Sequence, residues 1–74
     1  MSRLIPLKPI EVIRILERLG FSRIRQRGSH IYMRHPDGRA TVVPFHKGED
    51  IGKGLLKKIL QDTELAWEEF DKLR

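Results

Sequence analysis

The chain has 74 residues, enough for one small domain with one hydrophobic core and one site. It contains no cysteine, which excludes disulfides and thiolate metal sites, and no apolar run is long enough to span a membrane. Its net charge of +5 is uneven: residues 1–58 carry 13 Lys and Arg against five Asp and Glu, whereas residues 59–74 carry two against five. We expect a cytoplasmic protein, one domain over residues 1–74, with an anionic partner.

The first predicted element is an amphipathic helix over residues 9–19, PIEVIRILERL. Pro9 suits the first helical turn, because the N–H that proline lacks would have no partner there. Gly20 is placed to end the helix in a left-handed conformation. Apolar residues recur at helical spacing along one side of this segment, namely Val12, Ile13, Leu16 and Leu19.

A β-hairpin is predicted next, because the strand-like residues 21–27 and 30–35 flank Gly28 and Ser29. Glycine at the first position of a two-residue turn is typical of a type II′ hairpin. Closure by this turn determines which residues lie opposite each other and share a face. It pairs Arg27 with His30, Arg25 with Tyr32 and Arg23 with Arg34 on one face, and Gln26 with Ile31 and Ile24 with Met33 on the other.

A second turn is predicted at residues 35–39, HPDGR, where Pro36 and Gly38 suit the bend. The third strand then runs over residues 40–45, ATVVPF. Pro44 has no N–H to donate to a strand ladder, so it marks a strand end or an edge strand.

A second helix is predicted after the loop at residues 46–50, with an apolar face of Leu55, Leu56, Ile59 and Leu60. The last segment, ELAWEEFDKLR, predicts a short acidic helix buried through Ala66, Phe70 and Leu73, with Trp67 alongside. The order α-β-β-β-α(-α) predicts a small α+β domain in which helices cover one face of an antiparallel three-stranded sheet. The other face of such a sheet is left open.

The open face carries Arg23, Arg25, Arg27, His30, Tyr32 and Arg34, a basic surface that favours an anionic partner such as RNA. The candidates for contacts with RNA phosphates and bases are Arg23, Arg25, Arg27, Tyr32 and Arg34. A solvated strand face without a function is the competing interpretation. Against it, Arg23 opposite Arg34 is destabilising unless an anion lies between them. Ser29 in the hairpin turn joins the RNA-contact candidates. So do Lys53 and Lys57 at the start of the second helix, where helix N-termini attract phosphate and where a solvated helix face is the alternative.

His30 is the candidate catalytic residue. Histidine is the side chain that ordinarily exchanges protons near neutral pH. Cleaving RNA without a metal requires a base for the 2′-OH, an acid for the leaving 5′-oxygen and cations for the charge that develops at phosphorus. His30 beside arginines supplies one proton-transfer group and the cations. The second proton-transfer group stays unassigned, with water or a lysine as candidates.

The other two histidines have weaker claims. His35 opens the second turn, where we expect it to cap the turn, and by strand alternation it points away from His30. His46 follows the third strand. Together with Asp37 the three histidines could form a metal site, but no tight ligand spacing is present and we expect no metal or other cofactor.

Taken in order, these motifs resemble the HicA (YcfA-like) family of small toxin ribonucleases. The resemblance runs from the first helix to about Leu60 and depends on FSRIRQRGSH (21–30), RHPDGR (34–39), TVVPFH (41–46) and GEDIGKGLLKKIL (48–60). It implies a fold like that of double-stranded-RNA-binding domains and a toxin that cleaves mRNA without a metal or a ribosome. It also implies that the histidine of Gly-Ser-His, His30 here, is catalytic. The turn after the second helix, QDTEL, departs from the family in lacking the usual glycine, and Leu55 follows Gly54 where family members often have threonine.

The resemblance implies a partner as well: an antitoxin of the HicB type that covers the active face and represses the shared operon through its own DNA-binding domain. Contact with DNA is therefore expected only through the antitoxin. Two alternatives stay open, a non-catalytic RNA-binding module and a subunit that only binds the antitoxin. Neither needs a histidine, so RNA cleavage separates both from the toxin ribonuclease.

Overall fold

The computed structural model describes residues 3–74, so the first two residues of the predicted domain lie outside it. The elements are α1 (Pro9–Arg18), β1 (Ser22–Arg27), β2 (His30–Arg34), β3 (Ala40–Pro44), α2 (Lys53–Thr63) and α3 (Trp67–Asp71). The strands form one antiparallel sheet in the order β1-β2-β3. The predicted α+β class and the order of elements are confirmed.

The helices cover one face of the sheet, and the core lies between them. Ile31 and Met33 of β2 and Val43 of β3 are buried in it. Each such side chain contributes roughly 1.5–3 kcal/mol by leaving water, so this layer is the main source of stability. The helices and the segments around them complete it with Leu7, Val12, Ile13, Ile15, Leu16, Phe21, Ile51, Leu56, Ile59, Leu60, Trp67 and Phe70. Within residues 3–74 no helix is long and apolar enough to cross a membrane.

The first helix begins and ends as its sequence predicts. It starts at Pro9, and the carboxylate of Glu11 accepts a hydrogen bond of 3.1 Å from the backbone N–H of Lys8. That bond satisfies one of the N–H groups that a helix start leaves without a partner. After Arg18 the chain turns through Gly20, whose φ of 99° is the left-handed ending that was expected.

The hairpin turn also has the predicted conformation. Gly28 has a φ of 56°, whereas Ser29 is not among the residues with positive φ, which is the type II′ pattern. Arg27 lies opposite His30, Arg25 opposite Tyr32 and Gln26 opposite Ile31, as expected.

Beyond Arg25 the predicted register is wrong, because a β-bulge interrupts β1. Arg23 pairs with Met33, and Ile24 is the extra residue, so neither the Arg23–Arg34 pair nor the Ile24–Met33 pair forms. Bulges are common on edge strands, and every residue of β1 is exposed. The shift turns the Arg23 guanidinium toward Glu17 of α1, at 3.6 Å, and leaves Ile24 57% exposed.

The C-terminal segment differs from its prediction at one residue. Trp67 and Phe70 are buried and stack with their ring centroids 6.2 Å apart, and Leu73 is half-buried. Ala66, which was predicted to be buried, is exposed. The reason is that α3 starts only at Trp67, so Ala66 precedes it with extended backbone and its N–H donates to the Glu69 carboxylate.

Candidate functional site

The open face of the sheet consists of three rows of paired residues that run across the strands. Because directly paired residues share a face, each row can be read from the strand register. The rows are Arg27–His30–Pro44, Arg25–Tyr32–Val42 and Ser22–Arg34–Ala40. Arg25, Arg27, Arg34, His30 and Tyr32 therefore share this face as predicted.

The middle row combines a cation with an apolar surface. The Arg25 guanidinium lies 4.8 Å from the centroid of the Tyr32 ring, a cation–π contact. Next to it, Ile24 of the bulge lines a shallow depression to which both the open face (Tyr32, Val42) and the opposite side (Met33, Thr41, Asp62) contribute. The alternating pattern of β1 predicted that Ile24 would be buried, so this exposed apolar side chain is new to the site.

The hairpin end of β2 consists of Arg27, Ser29, His30 and the residues around them. Here His30 is exposed and lies directly opposite Arg27. The carbonyl of Ser29 accepts a hydrogen bond of 2.6 Å from the N–H of Phe45. The next residue, His46, has its Nε2 3.4 Å from the Ser29 hydroxyl. The chain after β3 thus brings a second histidine to the hairpin end, which the sequence pattern did not predict.

The turn end of β2 consists of His35, Asp37, Arg39 and the residues they contact. Here His35 is half-buried. Its Nδ1 accepts a hydrogen bond of 3.1 Å from the N–H of Asp37, which is the turn-capping contact expected for this residue. Its ring meets Phe21 edge-on with the centroids 5.1 Å apart. A Cβ added to Gly20 would lie 2.7 Å from His35 Nε2, so any larger residue there requires the His35 ring to move.

Arg39 ties the same turn to the end of α2. Its guanidinium donates to the Asp37 carboxylate at 2.8 Å and to the Thr63 carbonyl at 2.6 Å. The backbone N–H of Arg39 also donates to Asp37 and, with the guanidinium, lowers the pKa of that carboxyl from its ordinary value. Hydrogen bonds of Arg39 therefore connect the turn after β2 to the end of α2.

The remaining predicted residues lie away from the open face. Arg23 pairs with a buried position, Met33, so the shared-face argument no longer applies to it. Lys53 and Lys57 are exposed on α2, which packs on the covered face of the sheet, and their predicted phosphate contacts stay predictions. Among residues 3–74 no group of three or more histidine and carboxylate side chains could hold a metal ion.

One comparison with known proteins bears on this arrangement. The family model described as the HicA toxin of bacterial toxin–antitoxin systems matches residues 10–65, which include the whole sheet, all of α2 and nearly all of α1. No curated protein matches the chain.

Proposed function

The chain belongs to the HicA toxin family of bacterial toxin–antitoxin systems, and we propose that it is an endoribonuclease that cleaves mRNA without a metal until a HicB-like antitoxin neutralises it. The family match supports the toxin role. The observation that carries the ribonuclease proposal is the exposed His30 directly opposite Arg27, on the sheet face opposite the helices that the structure describes in residues 3–74. A proton-transfer group and a phosphate-binding cation are thereby held at one place.

The proposed reaction is transesterification within the RNA chain. A base removes the proton of a 2′-OH, the 2′-oxygen attacks the neighbouring phosphorus, and the bond from phosphorus to the 5′-oxygen breaks as an acid protonates that oxygen. His30 carries out one of these two proton transfers. Arg27, paired with it across the hairpin, stabilises the negative charge that develops on the phosphate oxygens.

The rest of the open face binds the RNA strand. Arg25 and Arg34 lie in the two rows beyond His30 and bind successive phosphates, as arginine forks do. Tyr32 lies between them and stacks on a base, which is how aromatic residues commonly hold single-stranded RNA. The Ser29 hydroxyl adds a hydrogen bond at the scissile phosphate. Lys53 and Lys57 bind phosphates that extend beyond the sheet.

The antitoxin is proposed to cover this same face, so that RNA and antitoxin exclude each other. Ile24 supports this part of the proposal, because it is a large apolar side chain that is 57% exposed. Its burial by a partner would lower the free energy of the complex. The arginines around it favour an acidic surface on the partner.

The test is cleavage of a defined mRNA by the purified protein in the presence of a metal chelator. We expect the wild type to cleave and His30→Ala to cleave roughly 10²- to 10⁴-fold more slowly, the range for loss of a general acid or base. Thermal unfolding of the variant checks that it is folded. Pulsed expression of both proteins, with growth and mRNA integrity followed together, extends the test to cells.

Each other outcome contradicts the proposal. Full cleavage by His30→Ala would remove this histidine from the mechanism. Binding of RNA without cleavage by the wild type would favour a non-catalytic RNA-binding module. Absence of any RNA affinity in the isolated protein would favour a subunit that only binds the antitoxin.

A further inference from the structure

We propose that His46 is the second proton-transfer group of the ribonuclease reaction and acts together with His30 across Ser29. This inference depends on the proposed function and deepens it, because one histidine alone leaves either the 2′-OH without a base or the 5′-oxygen without an acid. It assigns a specific side chain to the role that the sequence left open between water and a lysine.

The backbone brings His46 to the hairpin end. His30 pairs with Pro44, so β3 ends beside the start of β2. The next residue, Phe45, donates its N–H to the Ser29 carbonyl at 2.6 Å, which holds the chain against the hairpin turn. His46 follows directly, and its Nε2 lies 3.4 Å from the Ser29 hydroxyl. Ser29 therefore contacts His46 and is adjacent in the chain to His30, so it connects the two histidines at the hairpin end.

The His46 position is held from both sides and is still accessible. Its carbonyl accepts a hydrogen bond of 3.0 Å from the N–H of Glu49, which closes a turn directly after it. Both His46 and His30 are exposed, so each ring is accessible to a ligand bound at the hairpin end. An imidazole with one nitrogen near Ser29 keeps its other nitrogen for proton exchange.

Two histidines complete the proton balance of the reaction. One imidazole starts neutral and accepts the 2′-OH proton, and the other starts protonated and gives its proton to the 5′-oxygen. The bond from phosphorus to the 2′-oxygen forms while the bond to the 5′-oxygen breaks. The products are a 2′,3′-cyclic phosphate and a 5′-hydroxyl, no oxidant or reductant is consumed, and no net proton is released.

The competing candidates fit this role less well. His35 lies at the opposite end of β2, roughly 16 Å away at about 3.3 Å per residue, and its Nδ1 already accepts the N–H of Asp37. A lysine has an ordinary pKa of about 10.4 and is almost entirely protonated at neutral pH, so it is a poor base there. Water supplies protons far less readily than an imidazolium ion.

The test uses a short RNA that the wild type cleaves at one mapped bond, and a second RNA in which sulfur replaces the bridging 5′-oxygen at that bond. A sulfur leaving group needs no protonation. We expect His46→Ala to cleave the normal RNA roughly 10²- to 10⁴-fold more slowly than the wild type. On the sulfur-containing RNA, we expect cleavage to be restored for one of the two variants His30→Ala and His46→Ala, and for the other to stay slow.

Further readouts separate catalysis from structure. The wild-type rate should depend on pH along a bell-shaped curve, and His46→Ala should lose one limb of it. Glu49→Gln is the matched control in the same loop and should cleave like the wild type. Ser29→Ala should slow cleavage only about 10- to 30-fold, because it removes the hydrogen bond that positions the His46 ring and the one proposed to the scissile phosphate.

The outcomes distinguish this inference from the proposed function. If the wild type and His46→Ala cleave equally well while His30→Ala does not, the role of His46 is wrong and the ribonuclease stands. If His46→Ala is slow but keeps both limbs of the pH curve, and sulfur restores neither variant, His46 is structural and the inference is wrong. If the wild type does not cleave RNA at all, both proposals are wrong.

Discussion

The two ends of strand β2 each carry a histidine, and the two histidines have opposite surroundings. At the turn end, His35 packs against Phe21, caps the N–H of Asp37 and fills the space beside Gly20. At the hairpin end, His30 is exposed on an uncovered face, opposite Arg27. The accessible histidine is thus the first residue of the five-residue strand, and the histidine whose contacts serve the fold directly follows the last.

In these two histidines, the contacts that the side chain already makes indicate its role better than its residue type does. The Nδ1 of His35 accepts a hydrogen bond and its ring packs against Phe21, so removing it should change stability first. His30 is exposed and is not part of the hydrophobic core described for residues 3–74, so removing it should change chemistry first. A small domain with one core can keep a reactive group without weakening itself when the two tasks lie at opposite ends of one strand.

The largest expected effect on stability comes from the turn end. Gly20→Ala places a Cβ 2.7 Å from His35 Nε2 on a backbone with φ of 99°, so we expect it to lower the free energy of unfolding by roughly 2–4 kcal/mol. Chemical denaturation measures this loss. Loss of less than about 1 kcal/mol would mean that the His35 ring is not held there.

Gly28→Ala is the matched control, because Gly28 also has a positive φ, 56°, but among residues 3–74 no atom beyond its chain neighbours lies within 4 Å of its added Cβ. We expect only the backbone strain there, about 1–2 kcal/mol. In addition, Gly20→Ala combined with His35→Ala should cost less than the sum of the two single changes, since the clash disappears with the ring.

A smaller effect is expected on RNA binding at the hairpin end. In a His30→Ala background, which leaves RNA uncut, Arg27→Ala should weaken binding about fivefold and reduce the slope of log affinity against log salt by about 0.7. Arg23→Ala is the matched control on the same strand, because its guanidinium lies near Glu17 and not on the open face. Titrations at several salt concentrations measure both. Equal effects of the two changes would contradict the corrected register.

The smallest expected effect is a gain in stability beside the turn end. Glu64 ends α2 with a left-handed φ of 56°. It directly follows Thr63, whose carbonyl accepts a hydrogen bond from the Arg39 guanidinium. We expect Glu64→Gly to raise stability by about 0.5–1 kcal/mol, or roughly 3–6 °C in Tm, because glycine adopts this conformation without strain. Gln61→Gly, inside the same helix, should instead lower stability by about 1 kcal/mol. A Tm that does not rise in Glu64→Gly would show that the strain is small.

The sequence predicted the elements well wherever a local signal was present. Gly20 and the Gly28-Ser29 turn were identified because glycine readily adopts backbone conformations with positive φ. Gly20 and Gly28 do have positive φ in the structure. The placement of His35 followed from strand alternation and the turn after it. The QDTEL turn was noted for its missing glycine, and Glu64 there has the left-handed conformation that glycine would suit.

The features that were missed depend on tertiary structure. The bulge at Ile24 has no signature in a strand whose residues otherwise alternate, and the wrong pairing of Arg23 with Arg34 followed from it. Ala66 was assigned to the core because helical spacing does not reveal where α3 begins. The approach of His46 to Ser29 joins residues 17 positions apart, and only the pairing of β3 with β2 creates it.

The central claim is tested most directly by the RNA cleavage rate of His30→Ala compared with His35→Ala, at a temperature where both variants are folded. We predict that His30→Ala cleaves at least about 100-fold more slowly than the wild type at nearly unchanged stability. We predict that His35→Ala loses about 1–2 kcal/mol of stability and keeps its cleavage rate within a few-fold. A His30→Ala variant that cleaves as fast as His35→Ala would contradict the division of roles between the two ends of β2.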